Sequence, residues 1–202
     1  GTAYAGWQIQ PNALAIQEVI EKVVSQVLQE KIKIISAGRT DAGVHAHAQA
    51  AHFDTEKILD PMKFILSLNA LLPKDIRICQ CESVDKTFHS RFSAKKKTYT
   101  YRCHLGPIQD PFLRYYVTHI HASLDLDLMK TAASHMVGTH DFTSFANVGA
   151  VKGGIRTIYS IDIVQIGPEL TFTFTGSGFL YKMVRNLMGT LLYIGRGKLP
   201  LS

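Results

Sequence analysis

The chain has 202 residues, 46% of them hydrophobic and 19% charged. That apolar content supports a packed core and excludes disorder, and the length suits one large domain or two small ones. A formal charge of +6 with a pI near 9.2 favours an anionic partner, nucleic acid above all, and no apolar run approaches the ~20 residues needed to span a bilayer.

Pro11-Asn12 predicts a helix start with Asn12 as N-cap. Ile16, Val19, Ile20, Val23, Val24, Val27 and Leu28 then recur at helical spacing through Gln29. A strand over 32–36 leads into a Gly-Arg-Thr-Asp loop, and a second strand is expected from about His45 to Phe53. Asp60-Pro61 caps another helix, carrying Phe64, Ile65, Leu68, Leu71 and Leu72 and stopped by Pro73. Residues 76–84 read as a strand.

A second unit is expected from Phe88, giving halves 1–87 and 88–202. Tyr99, Tyr101, Cys103 and Leu105 alternate with polar neighbours, as a half-buried strand requires. A loop at Gly106–Pro111, a short strand within 115–121 and a helix over about 125–137 closed by Gly138 follow. Residues 156–166 and 169–175 form a hairpin over Gly167-Pro168. Gly176-Ser177-Gly178 opens a last helix with Val184, Leu187, Met188, Leu191 and Leu192, ended by Gly195. This order of elements is α+β.

Chemistry concentrates in Ser36-Ala37-Gly38-Arg39-Thr40-Asp41-Ala42-Gly43-Val44-His45. A carboxylate on a tight loop at a strand end suits a nucleophile or base, and a nearby cation (Arg39) favours its charged form. Asp and Gly are equally at home in an ordinary turn. Arg185, in the last helix, is either an exposed helix residue or a guanidinium reaching a carboxylate or phosphate. Tyr99 and Tyr101 share a strand face beside Lys95-Lys96-Lys97, a pattern of base stacking or of core packing. Further basic residues, Arg91, Arg102, Lys152, Arg156, Lys182, Arg196 and Lys198, are dispersed as on a surface tracking phosphates. His140-Asp141-Phe142-Thr143-Ser144-Phe145 reads as a structural junction. His45, His47 and His52, with Asp41, form a weak metal-hydrolase alternative. The odd cysteine count (Cys79, Cys81, Cys103) at no framework spacing points to a reducing, cytoplasmic setting.

The Gly1–Gln10 segment and Ala37–His45 closely resemble the tRNA pseudouridine synthase A family. Asn69–Pro73, Phe88–Ala94, Lys97–Tyr101, His140–Phe145 and Phe179–Asn186 continue the resemblance in family order across the chain. It implies a pseudouridine synthase fold: two sheet-and-helix halves, ferredoxin/RNP-like, around a central cleft. It also implies an isomerase converting uridine to pseudouridine in the tRNA anticodon stem-loop, at about positions 38, 39 and 40. By motif, Asp41 is the catalytic carboxylate (the nucleophile), Arg185 pairs with it, Tyr99 stacks on the target uracil, and Arg39 helps place the nucleotide. The family acts as a homodimer without metal or organic cofactor. Its pattern starts before Gly-Thr with a strand and Tyr-Asp, and continues past the last helix to a Gly-Leu pair. Truncation at both ends is therefore expected, and the alternative reading is a catalytically weak tRNA-binding remnant.

Overall fold

The computed structural model describes residues 1–147 and 153–201; Lys152, one of the expected basic residues, lies outside them. The chain is mixed α and β, and divides into Gly1–Ala94 and Lys95–Ser202, after Ala94 instead of after Thr87.

In the first unit, helix α1 spans Ile16–Leu28 and helix α2 Pro61–Leu71. Their inward faces (Ile20, Val23, Val24 and Leu28; Phe64 and Leu68) pack with Tyr4, Trp7, Ile32, Ile34, Leu72 and Ile76 into one core. The α1 start differs from expectation. Ala15 occupies the N-cap position with no side-chain bond, and Asn12 lies outside the helix. The first N–H groups, which no helical carbonyl can reach, find tertiary partners instead: Ile16 N donates to the Gly6 carbonyl at 3.1 Å and Gln17 N to the Trp7 carbonyl at 3.0 Å. Asp60 caps α2 as expected, accepting from Met62 N and Lys63 N, while Leu71 of its expected apolar side is exposed.

Strands in this unit are shorter than their apolar pattern suggests. β1 is Ile35–Ser36 and β2 is Ala51–His52, an antiparallel pair with Ile35 opposite His52. Residues 76–84 form no strand. There the Asn69 side chain takes the ladder's place, donating to the Ile78 carbonyl and accepting from Ile78 N, both at 2.8 Å.

The second unit is a five-stranded sheet with two helices. β3 is Lys97–His104, β4 Thr118–His119, β5 Gly138–Asp141, β6 Ile155–Ile166 and β7 Glu169–Gly176, in the order β4-β3-β7-β6-β5. β4 runs parallel to β3; the other pairs are antiparallel. The β6–β7 hairpin turns at Gly167-Pro168 as expected, and alternation sends Leu170, Phe172 and Phe174 inward and Thr171, Thr173 and Thr175 outward. Helix α3 (Leu126–Met136) and helix α4 (Met183–Gly195) supply Met129, Leu187 and Leu191 to the same core. Cys103 is 1% exposed within it, and burial, then the charge of Glu169, pushes its thiol up to about 11.

The last helix also starts later than expected. Gly176 completes β7, and α4 begins at Met183, after Lys182 in a left-handed conformation (φ 59°).

Candidate active site

The Asp41 loop is fixed from three directions within the first unit. At its base, Ala37 N donates to the Ala50 carbonyl at 2.8 Å, continuing the β1–β2 ladder. The Gly38 carbonyl accepts from Ser36 Oγ at 2.8 Å and from the Gln49 side chain. At its crown, Val44 N donates to the Asp41 carbonyl at 3.2 Å, closing a turn whose third residue, Gly43, has φ 79°. That conformation suits glycine, which carries no Cβ to clash. From the side comes the Gly1–Trp7 segment. Trp7 N donates to the Thr40 carbonyl at 3.0 Å, and Gly6 (φ 90°) presents a bare Cα to the same peptide. A Cβ on Gly6 would sit 2.4 Å from Thr40 O and 3.0 Å from the Asp41 carbonyl carbon.

The segment that holds the loop is itself held. Tyr4 and Trp7 are buried, the Tyr4 hydroxyl donates to Asp75 Oδ1 at 2.8 Å, and the Gly6 and Trp7 carbonyls cap α1. Burial, then the bond to the Asp75 carboxylate and its charge, raise the Tyr4 phenol to about 12.

Asp41 is half-buried and Arg39 exposed. The two form no ion pair among the described residues. Within its own unit the Asp41 side chain is left without a hydrogen bond or ion pair to a described residue. The chemistry of such a group is open: it can accept a proton or attack an electrophile.

Tyr99 and Arg185, the other residues expected at the site, lie in the second unit. Tyr99 sits in β3 opposite Phe174, and its ring meets Phe179 edge to face with centroids 5.3 Å apart. It is half-buried and packs against the core, as the core-packing reading expects. Arg185 is exposed in the first turn of α4, between buried Val184 and Leu187. Its neighbour Asn186 anchors that turn, donating to the Phe145 carbonyl at 2.8 Å and to Asn147 Oδ1 at 3.2 Å, while Asn147 N donates to the Tyr181 carbonyl at 3.1 Å.

The His140–Phe145 motif has the structural role expected of it. The Asp141 carboxylate accepts from Thr143 Oγ1 at 2.5 Å and from Thr143 N at 2.9 Å, which holds its carboxyl below the usual range and starts the 3-10 turn Thr143–Phe145. That turn presents the Phe145 carbonyl to Asn186.

Sequence reasoning missed Gly6, Asn186 and the pair Ser90–His52. None of these partners is near its target in sequence. No cluster of three or more His, Cys, Asp or Glu side chains able to hold an ion occurs among the described residues. His52 turns its Nδ1 to Ser90, and the Nε2 of His45 faces Thr2 Oγ1 at 3.4 Å. No helix among the described residues is long and apolar enough to cross a membrane.

Comparison with known proteins accounts for the whole chain. A family model described as tRNA pseudouridine synthase matches residues 1–93 and 132–202. A tRNA pseudouridine synthase A of Exiguobacterium is 46% identical over 199 residues, covering 98% of this chain and 80% of the relative. One from Chlamydia abortus is 50% identical over 204 residues (99% and 76%), and one from Clostridium acetobutylicum 46% over 205 (100% and 84%). Similarity of this degree and extent leaves one conclusion: the chain belongs to the tRNA pseudouridine synthase family.

Proposed function

We propose that the protein isomerises uridine to pseudouridine in the anticodon stem-loop of tRNA, at about positions 38, 39 and 40, with Asp41 as its catalytic carboxylate. The observation that carries this reading is the Asp41 loop: a half-buried acid, clamped at Thr40 by the Gly6–Trp7 segment, without a partner in its own unit. A structural aspartate would spend its oxygens on local N–H groups, as Asp60 and Asp141 do.

The reaction breaks the N1–C1′ glycosidic bond, turns the uracil and joins C5 to C1′. N1 gains a proton and C5 loses one, so the product is an isomer of the substrate. An ionised Asp41 serves as nucleophile toward the sugar or the ring, or as base for a sugar proton while the uracil is detached. In this reading Arg185 pairs with Asp41 and keeps it charged when RNA expels water, conditions under which an unpaired carboxylate would take up a proton. Tyr99 holds the detached uracil by stacking, an interaction worth about 1–3 kcal/mol per base. Arg39, exposed beside Asp41, contacts the RNA and helps keep the target uridine out of the helix, where extrusion costs a few kcal/mol. The two halves adopt ferredoxin/RNP-like arrangements around a cleft, the active species is a cytoplasmic homodimer, and no metal or organic cofactor takes part.

The test is release of tritium from unmodified tRNA carrying C5-labelled uridine, with the modified positions mapped afterwards. Release in excess chelator, confined to the anticodon stem-loop, supports the proposal. Salt-sensitive tRNA binding without release would instead identify a binding protein.

A further inference from the structure

The Asp41 loop springs from a ladder only two residues long on each strand, which on its own is a poor foundation for a group that must be held in place. One of its two rungs, Ile35 opposite His52, has a third participant. Ser90 is buried, only 3% exposed. Its hydroxyl donates to the Ile35 carbonyl at 2.8 Å and lies 2.9 Å from His52 Nδ1, and its backbone N is 3.2 Å from the same nitrogen.

One side chain thus bridges both halves of one rung. A serine hydroxyl has one proton, here given to Ile35, so its oxygen is available to His52 only as an acceptor. His52 Nδ1 either donates to that oxygen or, as the bare nitrogen, accepts from the Ser90 N–H. In both arrangements Ser90 stays tied to His52, so the bridge survives a change of histidine tautomer.

The turn presenting Ser90 is also self-supporting. Ser93 N donates to the His89 carbonyl at 2.8 Å, His89 N donates to Ser93 Oγ at 3.1 Å, and His89 Nδ1 accepts from Arg91 N at 3.2 Å. The His89 ring meets His52 with centroids 4.8 Å apart, and the Phe88 ring stands edge to face with His52 at 6.0 Å.

We infer that Ser90 and His52 are positioning residues for Asp41: they lock the Ile35–His52 rung, and through Ser36 and Gly38 they set the height and direction of the loop. This rests on the proposed role of Asp41. Misplacing a reacting group by about 1 Å costs up to ~100-fold in rate without weakening contacts elsewhere.

The experiment compares Ser90→Ala, Ser90→Thr and His52→Asn with the parent. It reads kcat and KM for tRNA, melting by circular dichroism, and amide exchange across Gly38–His45. The expected result for Ser90→Ala is a kcat lower by about tenfold or more with KM within about twofold, and faster exchange confined to the loop. Ser90→Thr, which keeps the hydroxyl, restores both. His52→Asn repeats the kcat loss, and decides the matter if Ser90→Ala does not fold. A kcat within about twofold of the parent, or a threonine variant as impaired as the alanine, overturns the inference. Should the parent show no isomerase activity, it is the function that fails; loop exchange unchanged by Ser90→Ala would overturn the clamp independently.

Discussion

Gly6 lies so close to the Thr40 peptide that a Cβ built on it would stand 2.4 Å from the Thr40 carbonyl oxygen. Thirty-odd residues of chain separate the two, yet this contact and the Trp7 N–H bond to the same oxygen fix the approach to Asp41. Gly6→Ala must move backbone, not a flexible side chain, and must also hold alanine at φ 90°. The expected loss is more than about 1 kcal/mol in urea unfolding, together with a fall in kcat because the displaced peptide leads directly into Asp41.

Helix caps give a paired prediction. Asp60→Ala removes the acceptor for Met62 N and Lys63 N and is expected to cost about 0.5–2 kcal/mol. Asn12→Ala is expected to change stability by less than about 0.5 kcal/mol, because α1 is capped by main-chain carbonyls. Equilibrium denaturation of both variants checks the contrast.

That pair illustrates what a linear reading reaches. Asp60 and its helix are legible because cap, proline and apolar stripe lie within a few residues of one another. The β6–β7 hairpin is legible because strict alternation and Gly167-Pro168 are local too. The α1 start was misread because its partners, Gly6 and Trp7, are tertiary. The strand expected over 76–84 has strand-like residues, but Asn69 binds its Ile78 peptide in place of a neighbouring strand. Gly176 looked like a helix opener and is the last residue of β7, paired with Lys97. The same division holds at the site. Asp41 stood out because its glycine-flanked loop follows an apolar strand, whereas Gly6, Ser90 and His52 act across long stretches of chain and carry no local mark of it.

Tyr4 gives a pH prediction with a definite sign. Its phenol is raised from 10.0 to about 12 in the folded state, so folding favours the protonated form. The stabilisation is complete below the unfolded value near 10 and is lost as pH rises through about 12. Unfolding free energy should therefore fall between those limits, and Tyr4→Phe should flatten that alkaline limb while lowering stability at neutral pH by about 1 kcal/mol.

Asn186 gives a test of how the Arg185 turn is held. Asn186→Ala removes the donor to Phe145 O and Asn147 Oδ1. The expected cost is about 1–3 kcal/mol, from a carbonyl left unsatisfied, with a kcat reduction exceeding any change in tRNA affinity. An unchanged kcat would mean that the position of this turn does not matter to turnover.

The most direct measurement is single-turnover release of the C5 hydrogen by Asp41→Asn, paired with its affinity for tRNA. Asparagine keeps the shape and removes the charge and the basicity. The expected outcome is tRNA binding within about threefold of the parent and release slowed by at least about a thousandfold, the range in which a positioned acid–base or nucleophilic group acts. Release at the parental rate with binding intact would contradict the assignment of Asp41 as the catalytic carboxylate.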